Sequence, residues 1–99
     1  MHITFVKKIK ADGSACQKCA DVEKRMVDSG YMNRVDEIVI ADERDPESIG
    51  VQLAARFEVE RAPFFMVEDD DENISIYTIY FQFVKEVLQA NNSTDKNMT

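Results

Sequence analysis

The chain has 99 residues, 44% of them hydrophobic, which is typical of one domain with a single core. Its 19 acidic and 12 basic residues give a net charge of −7, which disfavours binding to nucleic acid or to anionic membrane surfaces. The first ten residues lack the pattern of a secretory signal, and no apolar run has transmembrane length. We therefore expect a soluble, cytoplasmic, monomeric protein whose thiols stay mostly reduced.

The first part of the chain predicts a strand followed by a helix. Residues 3–9 are rich in β-branched and aromatic side chains, as strands are, and residues 11–15 have the composition of a turn. The pattern over residues 20–29 predicts a helix that ends at Gly30. The side chains predicted to form its apolar face are Cys19, Val22, Met26 and Val27.

A second strand and a second helix come next. Residues 35–41 end in a continuous apolar run, which is common in strands buried on both faces, so we predict a central, covered position for this strand. Asp45 is the predicted N-cap of the following helix, and Pro46 is its predicted first residue. The predicted inner face of this helix consists of Ile49, Leu53 and Phe57.

The last part predicts a hairpin and a third helix. Residues 64–67 and 74–79 have strand composition and are separated by an acidic turn. Residues 80–89 predict a helix, with an inner face of Val84, Val87 and Leu88. The polar residues 91–99 predict a flexible tail after a domain over residues 1–90. The order βαβαββα implies an α/β fold with a four-stranded mixed sheet and helices on both faces.

The two cysteines form a Cys16-Gln17-Lys18-Cys19 motif where the first strand gives way to the first helix. A helix N-terminus favours negative charge, and Lys18 adds positive potential, so both should lower the pKa of a thiol there. We predict that Cys16, exposed at the helix start, is the attacking thiol. Cys19 lies one turn further on the apolar face, as expected of a shielded resolving thiol.

The chain resembles the thioredoxin and glutaredoxin superfamily over residues 3–90. The resemblance depends on the element order, on the CxxC motif at the first strand-to-helix junction, and on the segment Val59-Glu60-Arg61-Ala62-Pro63-Phe64-Phe65. It implies a thioredoxin-like fold in which Pro63 follows a cis peptide bond beside the disulfide. It also implies that Ala62, Pro63 and Phe64 bind an extended substrate segment.

The motif departs from the family pattern in two places. Ala15 stands where the family usually has an aromatic residue, and no proline separates the cysteines. Residues 78–81 lack the paired glycines with which glutaredoxins bind glutathione. The sequence therefore leaves glutathione dependence unassigned.

The resulting prediction is a thiol–disulfide oxidoreductase without metal or cofactor. Its partners would be a disulfide-containing protein and a reductase or small thiol. Two alternatives stay open. Residues 13–19, followed by Val22-Glu23-Lys24, also resemble the metal-binding loop and helix of copper chaperones, although that family runs βαββαβ. A thioredoxin-like module could also act without catalysis, as a scaffold in a larger assembly.

Overall fold

A computed structural model describes residues 1–89. The predicted tail over 91–99, and the last residue of the predicted domain, lie outside these residues. The elements are β1 (His2–Ile9), α1 (Gln17–Asp28), β2 (Glu37–Asp42), α2 (Ile49–Arg56), β3 (Phe64–Glu68), β4 (Ile74–Tyr77) and α3 (Tyr80–Phe83). A 3-10 turn over Tyr31–Arg34 precedes β2, and a π-helical turn over Val84–Leu88 continues α3. No helix within residues 1–89 has the length and apolar character needed to cross a membrane.

The four strands form one mixed sheet in the order β2-β1-β3-β4. Strands β1 and β2 are parallel, whereas β3 is antiparallel to both β1 and β4, which confirms the predicted mixed sheet and hairpin. The predicted central position of β2 is wrong, because β2 is an edge strand. Its apolar run is covered on one face only: Val39 and Ala41 are buried, whereas Ile38 and Ile40 are exposed on the other face.

Helices cover both faces of the sheet, as predicted. On one face, α1 and the α3 region pack on β1 and β3, and the buried side chains there are Ile3, Phe5, Val22, Met26, Phe65, Val67, Phe83, Val87 and Leu88. Three of these rings stack in series, with centroids 5.1 Å apart for Phe5–Phe65 and 3.9 Å apart for Phe65–Phe83. On the other face, α2 packs against a smaller cluster of Val6, Val39, Ala41 and Phe64.

Helix α1 begins three residues earlier than predicted and ends near the predicted glycine. Gly30 has a φ of 78°, the left-handed conformation that terminates many helices. Cys19, Val22 and Met26 are buried as predicted, but Val27 is exposed. The prediction for Val27 is wrong because the buried positions are spaced by three and four residues, and Val27 lies about 100° around the helix from Met26.

Helix α2 begins later than predicted, so the assignments of Asp45 and Pro46 to its start are wrong. The Asp45 carboxylate instead accepts a hydrogen bond from the Glu47 backbone N–H at 2.9 Å, forming a separate turn, and the helix N-cap is Ser48. Leu53 packs on the core and Phe57 is half-buried, but Ile49 is exposed. Because the turn delays the start of the helix, Gly50 faces the sheet and Ile49 faces away from it.

Gly50 permits the close approach of α2 to β2. A Cβ atom at this position would lie 2.5 Å from the carbonyl oxygen of Ile40 and would also collide with the backbone nitrogen of Ala41. Real Cβ atoms essentially never come this close to backbone atoms. The absence of a side chain at residue 50 therefore sets the distance between this helix and the edge strand.

The third helical segment confirms the predicted inward positions of Val87 and Leu88, both buried, and Val84 also packs on the core. Phe83, which was missing from the predicted inner face, is fully buried and stacks on Phe65 at one end of the aromatic series. Strand β4 ends at Tyr77, two residues before the predicted end.

Candidate dithiol site

A short turn after β1 brings the CxxC motif back against the sheet. The Lys10 backbone N–H donates to the Ser14 carbonyl oxygen at 2.9 Å, and Ala15 forms an isolated antiparallel bridge with Ile9. Within the turn, the Asp12 carboxylate accepts hydrogen bonds from the hydroxyl and the backbone N–H of Ser14, which lower its pKa. This turn places Cys16 immediately before the first residue of α1.

Cys16 is the N-cap of α1. Its Sγ accepts a hydrogen bond from the Cys19 backbone N–H, with a sulfur–nitrogen distance of 3.2 Å. A sulfur thus occupies the place that a serine or aspartate oxygen takes at most N-caps, where the helix dipole favours negative charge. The predicted exposure of Cys16 is wrong: the residue is 8% exposed, because the bridge from Ala15 to Ile9 holds it against the sheet.

Cys19 is 2% exposed and lies beneath Cys16, as predicted for a shielded thiol. Its Sγ accepts a hydrogen bond from the Lys8 backbone N–H at 3.4 Å. Burial, and then the hydrogen bond with Cys16, raise the pKa of Cys19 to about 12, although the Lys8 N–H partly opposes this shift. Both cysteines are free thiols, and Cys19 is neutral at physiological pH.

The two cysteines line one cavity of about 240 Å³, which lies between α1 and the parallel strands β1 and β2. We call it the thiol groove. Its other lining residues are Lys7, Lys8, Ile9, Ala15, Ala20, Glu23 and Ile40. Lys7 and Ile40 are register partners on neighbouring strands. The Nζ atom of Lys7 lies 2.8 Å from the Glu23 carboxylate, so this pair crosses from the sheet to the helix.

Sequence reasoning missed Lys7, Glu23 and Ile40. A signal was present for two of them, since Lys7 shares the face of β1 that carries Ile3 and Phe5, and Glu23 follows Cys19 by one helical turn. Ile40 could not be found in this way, because we predicted a central strand covered on both faces, and in such a strand Ile40 would be buried.

Pro63 lies in a second, separate cleft. The Ala62–Pro63 peptide bond is cis, as the resemblance implied. Pro63 lines a cleft of about 130 Å³ together with Lys18 and Val22, and the cysteines line the thiol groove instead. Lys18 is exposed on the first turn of α1.

The remaining predicted substrate-binding residues flank Pro63 in the chain. The Phe64 side chain is 2% exposed and packs with Val6 on the α2 face of the sheet, so it forms part of the core. Phe65, on the opposite face, is also core, and it borders the Pro63 cleft. Ala62 is half-buried.

A further groove, of about 420 Å³, lies between α1 and α3 and is bordered by Arg25, Tyr31, Tyr80 and Lys85. The cysteines do not line it. Within residues 1–89, no group of three or more His, Cys, Asp and Glu side chains is arranged to hold a metal ion.

Comparison of the chain with models of protein families, with curated proteins and with solved structures finds no match.

Proposed function

We propose that this protein is a thioredoxin-like thiol–disulfide oxidoreductase that uses Cys16 and Cys19 as its redox pair. The proposal depends on one observation: Cys16 is the N-cap of α1, and its sulfur accepts a hydrogen bond from the backbone N–H of Cys19. Two thiols are thus adjacent, and the outer one lies where a helix favours a thiolate. The element order and the mixed sheet, with helices on both faces, support the thioredoxin-like assignment.

The proposed reaction begins at Cys16. Its thiolate attacks one sulfur of a partner disulfide, forming a mixed disulfide and releasing the other partner sulfur as a thiolate. Cys19 then loses its proton and attacks the Cys16 sulfur, which releases the second partner thiolate. The partner gains two electrons and the two protons that the cysteine thiols lose, and Cys16–Cys19 becomes a disulfide. A reductase or a small thiol restores the dithiol by the reverse exchange.

The two thiols suit different steps of this reaction. The raised pKa of Cys19 keeps it protonated while Cys16 attacks, and a neutral buried thiol reacts slowly with oxidants and electrophiles. Cys19 is needed only after the mixed disulfide forms, when an intramolecular attack competes with release of the partner. This asymmetry favours Cys16 as the attacking thiol and Cys19 as the resolving thiol.

The experiment that tests the proposal is a redox titration in graded thiol/disulfide buffers, read by alkylation and intact mass. We expect both thiols to disappear together at one midpoint. If both stay alkylatable across physiological potentials, the oxidoreductase proposal is wrong and a scaffold role takes its place.

A matched pair of variants tests the assigned roles. Cys19→Ser should accumulate a stable mixed disulfide with a disulfide-containing protein, because the resolving thiol is missing. Cys16→Ser should accumulate none, since the remaining thiol is buried and protonated. Trapping by Cys16→Ser but not by Cys19→Ser would reverse the assignment.

A further inference from the structure

The lining of the thiol groove is mainly apolar, with Ile9 of β1 and Ile40 of β2 facing Ala20 of α1. Ile40 is 36% exposed although it is a large apolar side chain beside a reactive site. It is left open because α1 packs on β1 and β3 and leaves this face of the edge strand bare.

The charges that border the groove are neutralised in pairs. Lys7 lies 2.8 Å from Glu23, and both residues line the groove. Lys8 contributes its backbone N–H, which donates to the Cys19 sulfur, whereas its Nζ atom lies 3.4 Å from the Glu43 carboxylate, which is not part of the groove lining. Each lysine of the lining therefore already has a carboxylate partner. An anionic thiol such as glutathione would have to displace the Glu23 carboxylate from Lys7, whereas an uncharged apolar side chain would not.

From this composition we propose that the thiol groove is the substrate-binding site for disulfides flanked by uncharged apolar side chains, with Ile40 as its specificity-determining residue. This inference rests on the proposed function. The partner sulfur would approach Cys16, and the neighbouring apolar side chain would lie on Ile40 and Ala20. The site lies on the β2 side of the motif and is distinct from the Pro63 cleft.

The test compares two synthetic disulfides that differ only in charge. Both are dimers of an acetylated, amidated tripeptide with a central cysteine, which is flanked by leucines in one and by glutamates in the other. The reduced protein is mixed with each disulfide, and oxidation of the Cys16–Cys19 pair is followed by quenched alkylation and mass. Rates are divided by those of dithiothreitol with the same disulfide, which removes the difference in intrinsic reactivity.

We expect the wild-type protein to prefer the leucine disulfide by about tenfold or more, as is typical of an apolar pocket. Ile40→Thr, which keeps a β-branched side chain, should lose most of this preference. Ile40→Lys should reverse it by adding an unpaired cation to the groove. The matched controls are Ile74→Thr and Ile74→Lys, since Ile74 is 39% exposed on the opposite edge strand and away from the cysteines.

The outcomes separate this inference from the proposed function. The inference is wrong if all variants keep a normal redox midpoint but the wild-type protein shows no preference for the leucine disulfide. It is also wrong if both Ile40 variants keep that preference, because the groove is then not the binding site. If the wild-type protein shows no dithiol couple at all, the proposed function fails and this inference fails with it. A preference abolished equally by the Ile74 variants would also overturn the role of Ile40.

Discussion

The pKa of Cys19 gives a measurable prediction about the order in which the two thiols react. Burial, and then the hydrogen bond with Cys16, raise this pKa from 9.0 to about 12. A difference of three pH units lowers the thiolate fraction at neutral pH by about 1,000-fold relative to an ordinary cysteine. We therefore expect the initial rate of Cys19 alkylation by iodoacetamide to keep rising with pH well beyond 9.

The sequence allows each thiol to be followed separately. Trypsin cleaves after Lys10, Lys18 and Lys24, which places Cys16 and Cys19 on different peptides. Short exposures to iodoacetamide over a pH series, followed by digestion and mass spectrometry, then give one pH profile for each cysteine. The matched control is the same protein in concentrated urea, where both profiles should have the midpoint of an unfolded thiol.

Restricted access of the reagent would slow the reaction of Cys19 at every pH, but it would leave the midpoint unchanged. A plateau of the Cys19 rate near pH 9 in the folded protein would therefore refute the argument that burial keeps this thiol neutral.

The raised pKa of Cys19 also affects the stability of the fold. Between the unfolded and folded pKa values the unfolded chain binds fewer protons, so this thiol's contribution should fall as pH rises above 9.

Three further tests concern the charges at the site and the packing of the core. Lys7→Gln should raise the pKa of Cys19 further, since the lysine charge partly opposes the effect of burial, and it should slow the resolution by Cys19 of a mixed disulfide formed at Cys16; Glu23→Gln should act in the opposite direction. Gly50→Ala should lower the free energy of unfolding, measured in urea, by about 1–3 kcal/mol, because the new Cβ collides with β2. This loss should occur although alanine favours the helical conformation more than glycine does. The control, Gln52→Ala on the exposed side of α2, should be neutral or slightly stabilising. Thr4→Val should raise the melting temperature and increase the free energy of unfolding by about 1 kcal/mol, because the buried Thr4 hydroxyl has no hydrogen-bond partner within residues 1–89. No change, or a lower melting temperature, would show that this hydroxyl does have a partner.

Much of the fold could be predicted from local patterns. The strand–helix alternation gave the parallel pair β1–β2, and the acidic turn between two short apolar runs gave the hairpin β3–β4. These predictions were right because each depends on residues close together in the chain.

The errors concern long-range packing. An apolar run such as residues 38–41 has the same composition in a central strand and in an edge strand that lines a groove, and only the number of neighbouring strands separates the two. The start of α2 was misplaced for a related reason. An aspartate followed by proline can cap a helix or form a turn, and here the turn leaves Gly50 facing the sheet.

The site was predicted in part. The cysteine spacing and its place before α1 were sufficient to bring Cys16 and Cys19 together. The sequence did not reveal the burial of Cys16, because the bridge from Ala15 to Ile9 has no distinctive sequence pattern. It also could not assign Lys18 and the cysteines to different clefts, since that separation depends on how α1 is rotated over the sheet.

If Cys16 and Cys19 are the proposed redox pair, the helix cap formed by Cys16 couples their reduction potential to the stability of α1. The free Cys16 sulfur accepts the Cys19 N–H at 3.2 Å, and closing a disulfide would alter this acceptor, so we expect the cap to stabilise the reduced protein more than the oxidised one. A cap contributes about 1 kcal/mol, which for a two-electron couple corresponds to about 20 mV towards a more oxidising potential. Each reduction should therefore tighten the first turn of this helix, and each oxidation should loosen it.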